Sequence, residues 1–169
     1  NYSITGHMVV KNEDRWIWFA IMSVIDYLDK LIIFDTGSKD HTQLIIQDIL
    51  KNERYSKKIH YEQFGEVSPE EFHKVRQKQI DMTTTDYFMV IDGDEIWYQS
   101  GLEELDDILS TEKPLLVATK FINCCGVIWF IFIKDCRNKI FLVNMIRKIL
   151  CFHTNSTMSF INFLISSLT

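Results

Sequence analysis

Residues 87–97 read Y-F-M-V-I-D-G-D-E-I-W and join a short apolar run to a cluster of acidic residues. The run 87–91 has the length and the aromatic and β-branched content of a buried strand. The three carboxylates that follow it repel one another, and partial removal from water strengthens that repulsion. Mg²⁺ or Mn²⁺ relieves it, because these ions prefer carboxylate oxygen and share it with phosphate groups. The stretch therefore predicts either a metal–diphosphate site or an acidic turn that caps the next helix.

Outward from this stretch, apolar runs alternate with segments of helical spacing. Strands are predicted at 4–10, 31–34, 59–64, 87–91 and 115–119, and helices at 16–28, 42–50, 69–82 and 102–109. The strands are continuous apolar runs, which favours an α/β fold with a mostly parallel sheet and helices on both faces. Ligands bind such sheets at the carboxyl ends of the strands, where polar residues collect at 11–13, 35–38 and 92–95. The sequence therefore predicts one ligand site at this edge.

Three finer expectations concern the helices. The stripe of the first helix that is predicted to face the core contains Trp16 and Phe19, and that of the second contains Leu44. The third is expected to start at Pro69, with Ser68 as its N-cap, because proline is favoured at the first helical position.

The composition of the chain changes near Pro114. Its 169 residues suit one domain, with 47% apolar and 24% charged residues, and the net charge of −5 argues against nucleic acid as a partner. Residues 1–114 hold 12 basic and 22 acidic residues, whereas residues 115–169 hold 6 and 1. All four cysteines lie in the second part and lack the paired C-x-x-C spacing of a zinc site.

Two rival motifs are disfavoured by their context. The D-T-G at 35–37 matches the active-site loop of aspartic proteases, but those enzymes need two such aspartates and an almost all-β fold. Asp92 could be the nucleophile of a phosphatase that carries D-x-D after a strand, but such enzymes place the motif near the start of the domain.

Several motifs in order resemble the family 2 glycosyltransferases, which have the GT-A fold. They are V-V-K-N-E-D at 9–14, L-I-I-F-D-T-G-S-K-D-H-T at 31–42 and M-V-I-D-G-D-E at 89–95. The segment F-H-K-V-R-Q at 72–77 also resembles the family's Arg-Asn helix, with Gln77 where Asn is more usual. The resemblance covers about residues 3–120. It implies a GT-A, Rossmann-like domain that takes a nucleotide-sugar donor, with a UDP-sugar as the first expectation, in cell-wall or polysaccharide synthesis.

The resemblance also implies which residues bind the nucleotide sugar. Asp35 is expected to contact the base, Asn12 and Glu13 to lie at the pocket wall, and Arg76 to face the nucleotide or its phosphates. The residues allow plainer interpretations too: Asp35 could only cap the following turn, Arg76 could be a solvated helix residue, and Glu13 could be a first-turn residue that favours the helix dipole.

For the metal, the resemblance implies Mn²⁺ or Mg²⁺ on Asp92 and Asp94, with Asp92 also near the ribose. Such an ion neutralises charge on the leaving diphosphate, and Arg76 could add a fixed positive charge there. A nucleotidyltransferase of related architecture is an alternative, but it needs a basic Gly-rich loop that Gly6 alone does not supply.

The last part of the chain departs from the family pattern. An inverting transferase needs a general base, and after Pro114 the sequence has one carboxylate, Asp135. No catalytic residue is assigned, and an inactive donor-binding fragment is an alternative. We therefore divide the chain into a donor-binding domain at 1–125 and an atypical hydrophobic and basic tail at 126–169. A frameshift, or an early truncation followed by unrelated sequence, would give this composition. The alternative is a native hydrophobic tail that contacts anionic lipid peripherally. The acceptor, a glycan, lipid or protein, is not specified, and the expected location is cytoplasmic, with the inner membrane face as the alternative.

Overall fold

The structure is a computed structural model that describes residues 2–114 and 117, together with the backbone of 120–123, 126–134 and 140–144. Its strands are β1 (Ile4–Val10), β2 (Lys30–Asp35), β3 (Ile59–Gln63), β4 (Tyr87–Asp92), β5 (Lys120–Asn123), β6 (Gly126–Lys134) and β7 (Ile140–Asn144). Its helices are α1 (Ile17–Val24), α2 (Thr42–Leu50), α3 (Glu53–Ser56), α4 (Phe72–Asp81) and α5 (Gln99–Thr111).

Over the described residues these strands form one seven-stranded sheet in the order β3-β2-β1-β4-β7-β6-β5. The pairs from β3 through β7 are parallel, whereas β6 runs antiparallel to both β7 and β5. The chain moves outward in one direction from β1 to β3 and then crosses to the other side at β4. The predicted mostly parallel α/β fold is therefore confirmed, and the crossover puts a crevice at the carboxyl ends of β1 and β4.

Helices cover both faces of the parallel strands. On one face α1, α2 and α5 pack on β1, β2 and β4, and their buried residues include Ile17, Ile21, Ile46, Leu105 and Leu109. On the other face Val75 of α4 packs against Ile32 and Phe34 of β2. Successive side chains of the strands thus pack against the two helical layers in turn, and both sets are apolar, which is why the strands are largely continuous apolar runs in the sequence.

The predicted buried stripes of α1 and α2 are wrong in part. Trp16, Phe19 and Leu44 are 48%, 50% and 61% exposed. Apolar residues surround the first turns of α1, so spacing alone fits more than one face. In the structure the compact residues Ile17 and Ala20 take the core positions, and the larger rings stay outside.

Helix α4 begins later than the sequence predicts. Residues 69–71 form a turn, in which the amide of Glu71 donates to the carbonyl of Ser68 at 3.0 Å, and helical bonding begins at Phe72. The prediction of Pro69 as the first helical residue is therefore wrong, although the chain does turn there. The proline is compatible with either geometry, because it fixes φ without requiring the helix to continue.

Much of the sequence after Pro114 lies outside the described residues. This holds for four of the five residues of the strand predicted at 115–119, for all four cysteines and for Asp135. The boundary at residue 125 stays a prediction, although β6 and β7 beyond it join the same sheet as β1. In the part of the chain that is described, none of the helices combines the length and the apolar character needed to cross a membrane.

Two glycines give a matched stability prediction. A Cβ on Gly6 in β1 would lie 2.5 Å from Cδ1 of Leu28 and 2.8 Å from Cδ1 of Leu31, whereas a Cβ on Gly101 in α5 would meet nothing within 4 Å. We expect Gly6→Ala to lower the free energy of unfolding by about 1–3 kcal/mol through overpacking. We expect Gly101→Ala to raise it by about 0.5–1 kcal/mol, because alanine loses less entropy in a helix. Urea denaturation of both variants measures this, and equal midpoints would contradict the packing of β1.

Candidate functional site

The predicted ligand-binding residues meet at the carboxyl edge of β1, β2 and β4. These strands lie side by side, with Val10 opposite Asp35 and Val9 opposite Asp92 in register. The loops after the three strands therefore share one edge of the sheet, as the parallel topology requires.

Asp35 ends β2 and is fully buried. Its Oδ1 accepts hydrogen bonds from the amides of Gly37 at 2.9 Å and Ser38 at 2.7 Å. Gly37 has φ +89°, a conformation that glycine adopts without strain. On the other side the Tyr61 hydroxyl donates to Oδ2 at 3.4 Å. Burial, and then the charge of Asp35, raises the pKa of Tyr61 to about 12, so the phenol stays protonated. The carboxylate thus shapes the 36–38 loop, as the capping interpretation requires.

Asn12 joins the β1 loop to the β2 loop. Its amide donates to Oγ of Ser38 at 3.0 Å, and its Oδ1 accepts from the amide of Lys39 at 2.8 Å. Asn12 has φ 57°, and asparagine is among the few residues that tolerate this left-handed conformation. The next amide, that of Glu13, donates to Oγ1 of Thr42 at 2.8 Å. The sequence placed both residues at the pocket wall, and the structure ties them to the loop that Asp35 organises.

The D-G-D-E segment folds back on itself after β4. The amide of Glu95 donates to the carbonyl of Asp92 at 3.1 Å, and Oε2 of Glu95 accepts from the amide of Asp92 at 3.1 Å. Glu95 is fully buried, while Asp92 and Asp94 are half-buried. The three carboxylates therefore do not share one environment: Glu95 supports the turn from within, and the two aspartates lie nearer the surface.

Gly93 packs closely against the strand and loop that precede α1. A Cβ at this position would lie 3.0 Å from Cγ of Glu13 and 3.0 Å from Cγ1 of Val10. Its backbone does not have a positive φ, so close contact, and not a left-handed conformation, is what favours glycine here. The packing places Glu13 directly against the D-G-D-E turn, which connects the first and last loops of the site.

Arg76 projects from α4 into the same region and is 8% exposed. Its Nη2 lies 3.7 Å from Oδ1 of Asp92, and its Nη1 donates to the carbonyl of His7 at 3.4 Å. The Phe72 ring lies against the guanidinium, with 5.6 Å from Cζ to the ring centroid. Burial lowers the pKa of Arg76, and the charges of Asp92 and Glu95 oppose that shift. The interpretation of Arg76 as a solvated helix residue is therefore wrong.

The charges of this edge favour a further cation. The buried Arg76 guanidinium interacts with the charges of Asp92 and Glu95, and Asp94 adds a third carboxylate to the same segment. Among residues 2–114, no three histidine, cysteine or acidic side chains converge as a ready-made metal site. The chain can offer the two half-buried aspartates, and Mg²⁺ commonly takes one or two carboxylates and completes its coordination with substrate phosphates and water. The donor set fits a hard divalent cation shared with a phosphate ligand.

Two features of the site escaped sequence reasoning. Glu95 was grouped with Asp92 and Asp94 as one of three similar carboxylates, yet it alone is fully buried, and its charge acts on Arg76. Gln79 was overlooked, although it is fully buried on the same face of α4 as Arg76. The available signal was its spacing, because residues three apart on a helix share a face.

The comparison with known protein families decides the relationship. The model described as "Glycosyl transferase family 2" matches residues 7–166. The chain belongs to this family. The match confirms the resemblance and reaches further along the sequence than the motifs that suggested it.

Individual proteins and solved structures give shorter matches. A TPR repeat-containing protein of Synechococcus elongatus is 32% identical over 108 residues, which is 64% of this chain and 24% of that protein. The crystal structure of S. aureus TarS 1–349 superposes with a TM-score of 0.52 at 15% identity, covering 68% of this chain and 34% of TarS. Glucosyl-3-phosphoglycerate synthase from Mycobacterium tuberculosis, in complex with Mn²⁺, UDP and phosphoglyceric acid, gives a TM-score of 0.49 at 21% identity, covering 69% of this chain and 42% of that one. The chain thus spans about a quarter of the length of the curated relative and about a third of TarS. At 15% identity, the likeness to TarS supports the fold and nothing beyond it.

Proposed function

We propose that this chain binds a nucleoside-diphosphate sugar, with a UDP-sugar as the favoured donor, and transfers the sugar to an acceptor with inversion. The observation that carries the proposal is the convergence of Arg76, Asp92 and the loops after β1 and β2 at one sheet edge. That edge supplies a buried cation and two half-buried carboxylates. A nucleoside diphosphate needs these groups, because it is both an anion and a ligand for metals.

Each proposed donor contact uses a group already held in place. Asp35 accepts an N–H of the base through Oδ2, since a carboxylate oxygen can accept a second hydrogen bond beside that from Tyr61. Because Asp35 is fully buried, the 36–38 loop has to shift to admit the base. Asn12 and Glu13 line the wall of the pocket. Arg76 directs its guanidinium to the diphosphate, where a buried donor acts more strongly than in water.

Asp92 and Asp94 are proposed to hold Mn²⁺ or Mg²⁺. When bound, the ion supplies Lewis-acid neutralisation of the charge on the leaving diphosphate. The protein's own part is to fix one ligand, since the amide of Asp92 is held by Glu95 at 3.1 Å. Asp92 also faces Arg76, so its orientation is constrained from two sides.

Calorimetric titration of UDP into the purified chain, with and without Mn²⁺, tests the proposal. We expect binding in the presence of Mn²⁺ and a loss of at least about tenfold in affinity without it, equivalent to roughly 1.4 kcal/mol. ADP in the same buffer is the control for the base, and we expect it to bind more weakly. Failure of UDP to bind under either condition would contradict the proposal.

A narrower function, donor binding without transfer, is the second candidate. One observation favours it: residues 115–169 contain a single carboxylate, whereas an inverting transferase needs a general base. Release of UDP from UDP-sugars, measured with a mixture of acceptors, distinguishes the two functions. UDP binding without release would support the narrower one.

A further inference from the structure

Besides Arg76, helix α4 carries another buried polar side chain, that of Gln79, which is fully buried. Its Nε2 donates to the carbonyl of Met8 in β1 at 2.9 Å and to the carbonyl of Ile32 in β2 at 3.1 Å. Its Oε1 accepts from Nη1 of Arg76 at 3.2 Å. One side-chain amide thus joins two neighbouring strands to the guanidinium.

The neighbours of Gln79 allow only one orientation of its amide. Reversal would turn the oxygen toward the carbonyls of Met8 and Ile32 and the amino group toward Arg76. The amide oxygen would then face two carbonyl oxygens, and the amino group would face the arginine cation. Both contacts are unfavourable in a buried setting. The strands therefore fix the amide, and the amide presents its oxygen to the arginine.

Anchoring one nitrogen of a guanidinium also directs the other. The group is planar and its donors form a rigid fork, so the position of Nη1 restricts that of Nη2. Nη1 of Arg76 donates to Oε1 of Gln79 at 3.2 Å and to the carbonyl of His7 at 3.4 Å. The shorter bond is the one to Gln79, and Nη2 then lies 3.7 Å from Oδ1 of Asp92.

We propose that Gln79 is a positioning residue that holds the Arg76 guanidinium toward Asp92 and the donor diphosphate. The inference rests on the proposed function, in which Arg76 faces the phosphates. Without the Gln79 oxygen, Nη1 loses the shorter of these two hydrogen bonds and retains the 3.4 Å bond to the His7 carbonyl, so the fork can turn away from the carboxyl edge. Gln79 touches no substrate itself and acts through Arg76.

Gln79→Met tests this, because methionine has a similar length and no hydrogen-bonding amide. We expect the affinity for UDP with Mn²⁺ to fall about tenfold, the size of effect associated with one charge-assisted hydrogen bond. Thr83→Val is the matched control. The Thr83 hydroxyl is buried in the same layer, with 2.6 Å to Nε2 of His7 and 2.8 Å to the backbone carbonyl of Gln79, and neither of these hydrogen bonds involves the Arg76 guanidinium. We expect UDP affinity within about twofold of the wild type for this variant.

A double-mutant cycle separates positioning from general loosening of the fold. In an Arg76→Lys background, the ammonium has no second nitrogen at a fixed distance from the first. Adding Gln79→Met to that background should therefore change UDP affinity less than twofold, by roughly the experimental limit of additivity. A tenfold loss in both backgrounds would overturn the proposal, and so would wild-type affinity in the single Gln79→Met variant.

A measurement without ligand distinguishes failure of this inference from failure of the proposed function. Nitrogen NMR of the arginine side chains reports whether the two Nη groups of Arg76 exchange positions. We expect separate, slowly exchanging Nη signals in the wild type and in Thr83→Val, and averaged signals in Gln79→Met. If the wild type binds no UDP but shows this pattern, the donor proposal fails and the positioning role stands. If Gln79→Met leaves the Nη signals separate, the positioning role fails whether or not UDP binds.

Discussion

Replacing Asp94 with asparagine is expected to remove the Mn²⁺-dependent part of UDP binding, with a loss of at least about 100-fold in affinity, or roughly 2.8 kcal/mol. Asp94 lies at the surface side of the D-G-D-E turn, while Glu95 is buried and Asp92 faces Arg76. Asparagine keeps the shape of the side chain but removes the charge, and a hard cation prefers the charged oxygen. Calorimetry of UDP at several Mn²⁺ concentrations measures the effect.

Asp48→Asn is the matched control for this prediction. Asp48 lies on α2, its side chain is 76% exposed, and it pairs with Lys51 at 2.9 Å on the surface. An exposed pair of this kind contributes about 0–1 kcal/mol to stability and lies away from the site. We expect unchanged UDP binding in this variant. If Asp94→Asn also retained Mn²⁺-dependent binding, the metal would have to be assigned to other residues.

The strands and the location of the site could be predicted because both depend on local pattern. β4 is an unbroken apolar run up to Asp92, and β1 becomes continuously apolar in its last three residues. The structure begins and ends both strands within one residue of the prediction. Once the sheet is known to be parallel, the residues after β1, β2 and β4 must share an edge. Asn12, Asp35 and Asp92 could therefore be brought together without coordinates.

The pairing of buried groups could not be predicted, because it depends on residues far apart in sequence. The sequence also allowed Arg76 to be a solvated helix residue. The packing of α4 on the sheet is what shows that Arg76 is buried against Asp92. The same holds for the close packing at Gly93, because its neighbour Glu13 belongs to another loop. The buried face of α1 could not be predicted for a different reason, because apolar residues occur all around its first turn.

Removing the Arg76 guanidinium is expected to have the largest effect on stability. Arg76→Met should lower the free energy of unfolding by about 3–5 kcal/mol, because it removes the buried positive charge that attracts the fully buried Glu95 and the half-buried Asp92. The charges of Asp92 and Glu95 both act on Arg76 in the folded protein. The additional change Glu95→Gln should restore at least about 1 kcal/mol, since glutamine can still accept the Asp92 amide but carries no charge. Urea denaturation of the single and double variants measures both steps.

Arg54→Met applies the same substitution to an exposed ion pair. Nη2 of Arg54 lies 2.7 Å from Oδ1 of Asp26, which is a shorter distance than that between Arg76 and Asp92. The side chains of Arg54 and Asp26 are, however, 65% and 62% exposed. Water screens this pair, so we expect a loss of less than about 1 kcal/mol. The shorter pair should thus contribute less than the 3.7 Å pair of Arg76, because burial and not distance sets the cost of leaving a charge unpaired. Equal losses in the two variants would show that water reaches Arg76, and would remove the physical basis for its action on a diphosphate.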